Sequence, residues 1–141
     1  MNTKVYKAVH DLAEKLMAAA NKNDTKQFES LYAELKAICI ENENTAKDHP
    51  VQWETLADFT EELEEAIETY EKALQKSIEI NNKDHMSSVA FSMATLQLEL
   101  GDKEAAIKNL QDAKISANKI EDKELKSEIH DLLESLVEEE G

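Results

Sequence analysis

The sequence predicts an all-helical fold of stacked helical hairpins, and three observations carry that prediction. The first is a near repeat: Glu65-Ala66-Ile67 with Tyr70 and Ala73 returns forty residues later as Ala105-Ala106-Ile107 with Leu110 and Ala113. A fixed period of this size marks helical units that cannot bury their own apolar face alone and pile against their neighbours. The second is composition. Two Gly and one Pro leave little material for tight turns, 33% of residues are charged, and Ala, Glu, Lys and Leu dominate; these are helix formers. The third is patterning, with apolar residues recurring three and four apart along most of the chain. At 141 residues the chain has the length of one domain with a continuous core. Residues 1–141 therefore read as a single domain of about seven helices.

Helix 1 is expected over Thr3 to Asn21, with Val5, Val9, Leu12, Leu16, Met17 and Ala20 as its buried stripe. Helix 2 starts at Asp24 or Thr25, whose short polar side chains accept free amides of the first turn. Its apolar face is Phe28, Leu31, Tyr32, Leu35, Ile38 and Cys39, and the polar run Glu41 to Asp48 is the longest loop candidate. Pro50 suits the first turn of helix 3, since the donor it lacks would be unpaired there. Helix 3 carries Val51, Trp53, Leu56 and Phe59; neither Gly nor Pro separates it from helix 4, and the break is placed near Thr60.

Helix 4 uses Leu63, Ala66, Ile67, Tyr70, Ala73, Leu74 and Ile78 and ends at Asn81-Asn82. Helix 5 begins near Asp84 and buries Val89, Ala90, Met93, Ala94, Leu98 and Leu100, with Gly101 as the left-handed stop. Asp102 caps helix 6, whose stripe is Ala106, Ile107, Leu110, Ala113, Ala117 and Ile120. Asp122 caps helix 7, with Leu125, Ile129, Leu132, Leu133 and Leu136 on one side. Acids fill the rest of helix 7, as expected of a terminal helix that shields the last hairpin. The hairpins then span about 3–41, 50–81 and 84–120, with a capping helix at about 122–138.

Charge excludes several function classes. The net charge is −15, and two stretches hold nearly all of it: seven acids and no base over 58–71, and nine acids against Lys123 and Lys126 over 121–141. Such stretches read first as solvated helix faces, and second as a patch that steers a basic partner. All sixteen basic residues are Lys. Without Arg, the usual group for bidentate phosphate and guanine contacts, and with this acidity, neither nucleic acid nor an anionic membrane is an expected partner. Residues 1–15 alternate charged and apolar side chains, so they read as neither a signal peptide nor a span, and a cytoplasmic protein is expected.

The residues of chemistry are scattered. Cys39 is the only cysteine, which rules out an internal disulfide and a four-cysteine zinc site, and within Ile38-Cys39-Ile40 it reads as a small buried hydrophobe rather than a nucleophile. No Glu precedes any of the four His by three and no two His lie four apart, so di-iron and zinc-protease helix motifs are absent. His10 and His130 read as surface residues. One internal Gly cannot build a phosphate-cradling loop. No catalytic, metal or cofactor site is expected, and the chain reads as a non-enzyme.

Ala94, Gly101, Ala106 and Ala113 are spaced by seven, five and seven, with Leu100 before the Gly. This pattern resembles a tetratricopeptide repeat (TPR), a helix-turn-helix unit of two antiparallel helices. Small residues fit where helices cross closely, and Gly101 fits the turn. The match is best over 87–120 and partial over 61–80, through Ala66, Tyr70 and Ala73. In the first hairpin Tyr32 fits, but Phe28 sits where a small residue is expected. Ala90 and Gln97 stand where the pattern has aromatics, the closing Pro is missing, and the forty-residue period exceeds the usual ~34. The resemblance implies a right-handed array of about three antiparallel hairpins plus a C-terminal capping helix; the alternative is an up-down helical bundle.

The resemblance also implies a concave groove lined by the first helix of each hairpin. That assigns Ser88, Phe91, Ser92, Thr95, Leu98 and Glu99 from the third hairpin. The second contributes Val51, Gln52, Thr55 and Phe59, and the first His10, Ala13, Glu14 and Met17. Phe91 and Phe59 would be anchors, as exposed aromatics commonly are, or would pack on a neighbouring hairpin; Trp53 reads as core. Members that grip acidic chaperone tails use Lys, Arg and Asn at such positions, and none stands here, so an acidic tail is not an expected partner. The expected function is a non-enzymatic adaptor or chaperone-like module holding a basic or apolar segment of another protein. Its length and acidity also resemble bacterial secretion chaperones with these repeats. A self-pairing module, a homodimer through hairpin one, and a regulatory bundle responding to a small molecule remain alternatives.

Overall fold

Helices in this chain begin where a side chain closes the first turn. In the computed structural model, which describes residues 2–140, α1 (Thr3–Asn21) is capped by Asn2, α2 (Thr25–Asn42) by Asp24 and α3 (Pro50–Asp58) by His49. α4 (Leu63–Glu79) starts on Glu62, whose carboxylate accepts from the amides of Glu64 and Glu65 at 3.2 and 2.8 Å. Asn82, Asp102 and Asp122 do the same for α5 (Lys83–Glu99), α6 (Lys103–Ala117) and α7 (Lys123–Glu140). Among the described residues there are seven helices and no strand. None of the helices is long and apolar enough to cross a membrane.

Three of the helix ends share one motif. Asn23, Asn81 and Gly101 hold φ of 57°, 52° and 81°, in the left-handed region. The next amide then reaches back five residues: Asp24 to the Ala19 carbonyl (2.9 Å), Asn82 to Ser77 (2.9 Å) and Asp102 to Gln97 (2.8 Å). This satisfies carbonyls of the ending helix, and the same residue caps the next one. The link between α3 and α4 is different. It has no positive φ, and the Thr60 hydroxyl turns back to the Leu56 carbonyl at 2.8 Å. Thr60 therefore lies in the break, as the sequence predicts, and helices 3 and 4 are separate.

The chain forms two compact units, Met1–Thr69 and Tyr70–Gly141, with the boundary inside α4. In the first, α1, α2 and α3 pack on one another through Val9, Leu12, Leu16 and Ala19, Leu31, Leu35 and Cys39, and Trp53, Leu56 and Ala57. Trp53 is also held by its indole N–H, which donates to Asp48 at 2.8 Å. Cys39 is fully buried and its thiol donates to the Gln52 carbonyl at 3.3 Å. In the second unit α6 packs on both α5 and α7. Its core joins Ala90 and Ala94, Ala106, Leu110, Ala113 and Ala117, and Ile129, Leu133 and Leu136.

Four stripe assignments are corrected. Met17 is 59% exposed and Ala20 is exposed, because the buried row of α1 runs through 9, 12, 16 and 19 and both lie beside it. Ile78 is exposed in the last turn of α4, and Leu100 is the C-cap of α5 and turns outward. Ile120 is buried as predicted, but from beyond α6: its amide bonds to Ala117 (3.2 Å) and the side chain folds into the core.

Candidate binding cleft

Two turns of the first unit face each other across open space. One joins α1 to α2, where the Asn23 turn and the Asp24 cap fix the start of α2 and set Phe28 one turn in. The other joins α3 to α4, where Phe59 follows the last residue of α3 and Glu62 anchors α4. The Phe28 and Phe59 rings meet edge to face, 6.3 Å apart at 61°. Such pairs add about 0.5–1.5 kcal/mol to area burial. The Thr60 hydroxyl spends its proton on Leu56, so the Tyr32 hydroxyl is the donor in their 2.8 Å contact. That bond ties α2 to the second turn.

Between these turns lies a cleft of about 450 Å³. Its floor is apolar: Ala19, Phe28 and Phe59, with the Tyr32 ring. Its remaining charged lining is entirely acidic, from Asp24, Glu29, Glu61, Glu62 and Glu65. Asp24 and Glu62 are committed to helix caps. Glu65 lies 3.8 Å from the Lys36 ammonium, a half-exposed pair one turn further along α2; at that exposure it contributes little. Glu29 and Glu61 are exposed and, among the described residues, have no cation beside them. The site is a hydrophobic slot with a negative rim.

Of the residues expected to line a groove, Phe59 reaches this cleft. Thr55, one turn earlier, is half-buried and its hydroxyl donates to the Val51 carbonyl at 2.6 Å. Gln52 is a correction. It is 1% exposed, and its amide donates to the Lys47 carbonyl at 2.7 Å, so it braces the loop before α3 and presents no surface. On α1, His10 and Glu14 are exposed and 2.9 Å apart, Ala13 is half-buried, and Met17 is open.

In the second unit Phe91 and Leu98 are half-buried against the α5–α6–α7 core. Packing thus claims part of each ring or side chain. Ser88, Ser92 and Thr95 are half-buried along the same helix, with the Thr95 hydroxyl donating to Ser92 (2.7 Å), and Glu99 is exposed. Among the described residues no group of three or more His, Cys, Asp or Glu is placed to hold a metal ion.

Phe28, Tyr32, Glu29 and Glu61 were not among the expected binding residues. The signal that could have found them is Phe28 itself, a large ring where the repeat pattern wants a small residue.

A family model described as tetratricopeptide repeat matches residues 55–114, which include both copies of the forty-residue near repeat. No curated protein matches the sequence. Among solved structures, the chain is similar to PcrH from Pseudomonas aeruginosa, at 19% identity and a TM-score of 0.64, over 90% of this chain and 92% of that one. It is also similar to PcrH in complex with the chaperone binding region of PopD, at 19% identity and a TM-score of 0.66, over 94% and 96%. At this identity the likeness speaks for the fold, and it agrees with the repeat pattern and the seven helices among the described residues: the chain has a TPR-like helical-repeat fold.

Proposed function

We propose that the protein is a non-enzymatic interaction module, adaptor or chaperone-like, that holds a segment of another protein. The observation that carries this reading is the fold likeness over nearly the whole chain to PcrH, which has been crystallised with the chaperone binding region of a partner. The half-buried row Ser88, Phe91, Ser92, Thr95 and Leu98 on α5 supports it, with Thr55 on α3 and Phe59 just past its end. Side chains that are partly covered in the free protein lose little freedom on binding and still offer area. The charge balance favours a basic or apolar segment over an acidic one.

A photoreactive residue at Ser92 tests this reading. Expected is one dominant crosslinked protein, captured at least tenfold less when Phe91 is also replaced by Ala, as for an interface anchor of about 1.4 kcal/mol or more. Crosslinks spread over many abundant proteins would sink it. A second reading, self-association, is favoured by the open side of α1, where Tyr6 is 44% and Met17 59% exposed. Light scattering separates the two, since a monomer at high concentration removes self-pairing.

A further inference from the structure

We infer that the cleft between the α1–α2 and α3–α4 turns is a second binding site, for a cationic segment of a partner protein that inserts one lysine or arginine beside a large apolar side chain. The inference rests on the reading of the chain as a partner-binding module and gives that module a chemical preference. Four features converge. The volume of about 450 Å³ lies in the roughly 300–1,000 Å³ range of pockets that hold a small ligand or a few side chains. The floor is built of Phe28, Phe59 and the Tyr32 ring, already locked by the edge-to-face contact and the Tyr32–Thr60 bond. The rim has five carboxylates and no basic side chain. Glu29 and Glu61 have no internal cation beside them among the described residues.

A long basic side chain answers both halves of this surface at once. Its methylene stem lies on apolar or aromatic walls while its charged head stays at the rim, and a cation near an aromatic face gains further attraction. A purely apolar segment would leave the carboxylates unanswered and partly desolvated. An acidic segment would meet five like charges. The cleft therefore discriminates by sign of charge as well as by shape.

The test uses the full chain, isotope-labelled, and a synthetic peptide of about ten residues with one Leu between pairs of Lys. Controls replace Lys by Glu, or Leu by Ala. Expected are amide shifts confined to residues 20–32 and 59–65, with binding weakened at least tenfold by the Glu29→Lys, Glu61→Lys double variant. Both positions are exposed and neither caps a helix, so this variant keeps the fold, which its unchanged remaining spectrum verifies. Binding of the Lys peptide also falls several-fold when salt rises from about 0.05 to 0.5 M.

Equal binding of the Glu peptide, unchanged affinity in the double variant, or no binding of the Lys peptide overturns the inference. So do the same cleft shifts arising without peptide as the protein concentration is raised, which would make a second copy the occupant. Shifts that fall on α5 instead overturn the cleft and leave the broader reading standing. That reading fails separately, in the crosslinking at Ser92.

Discussion

In the α5–α6 hairpin the second helix presents Ala106, Leu110 and Ala113, all fully buried. Counted from the capping Asp, the same positions in α1–α2 hold Phe28, Tyr32 and Leu35. The two hairpins turn alike, each through a left-handed residue, a five-residue back-bond and an Asp cap. They close differently. Alanines let the backbones of α5 and α6 approach, whereas the Phe28 ring stays half-buried and rests on Phe59 at the edge of an open cleft. One repeat pattern thus yields a closed hairpin where its small positions are kept and a cleft where they are filled.

The largest expected effect comes from Leu35→Ala, which gives hairpin one the small residue of its counterpart without the close approach that suits it. Leu35 is 0% exposed, so the change leaves a cavity and costs about 2–5 kcal/mol. Trp53 is the only tryptophan and belongs to the first unit. Its fluorescence transition in urea should move to lower denaturant by the corresponding amount. Little movement would mean that the first unit collapses around the gap, and the two hairpins would not be fixed in different spacings.

The reciprocal change, Ala106→Phe, forces a ring into a fully buried position and should cost about 1–3 kcal/mol by overpacking. Phe28→Ala should cost about 1 kcal/mol, because only part of its ring is covered. Urea denaturation followed by circular dichroism checks both. If Phe28→Ala proved the costlier, Phe28 would be a core residue and not the wall of a slot.

How much of this was legible in the sequence depends on the scale of the forces involved. Helix ends are local: Asp24, Asp102 and Asp122 cap where the sequence places caps, and Gly101 takes the left-handed turn. Periodicity located the buried rows to within one neighbour, which is why Leu16 was right and Met17 beside it was not. The cleft was not legible, because it is formed by residues more than thirty positions apart, such as Phe28 and Phe59. Gln52 failed for a related reason. Its helix was right, but a carbonyl of the preceding loop claims its amide, and no helical spacing encodes that.

The smallest effects should fall on what the hairpins share. Gly101 has φ +81°, and a Cβ there would meet nothing within 4 Å, so only backbone strain opposes a side chain. Gly101→Ala then costs about 1 kcal/mol, the penalty of an alanine in the left-handed region. Asn tolerates that region better through its short polar side chain, and Asn23 already does so at φ 57° in the other turn. Gly101→Asn and Asn23→Gly should therefore each shift stability by no more than about 0.5 kcal/mol. Urea midpoints resolve this difference. A costly Asn23→Gly beside a cheap Gly101→Asn would show that the Asn23 side chain stabilises its turn beyond the backbone angle, and the likeness of the two turns would end at their dihedrals.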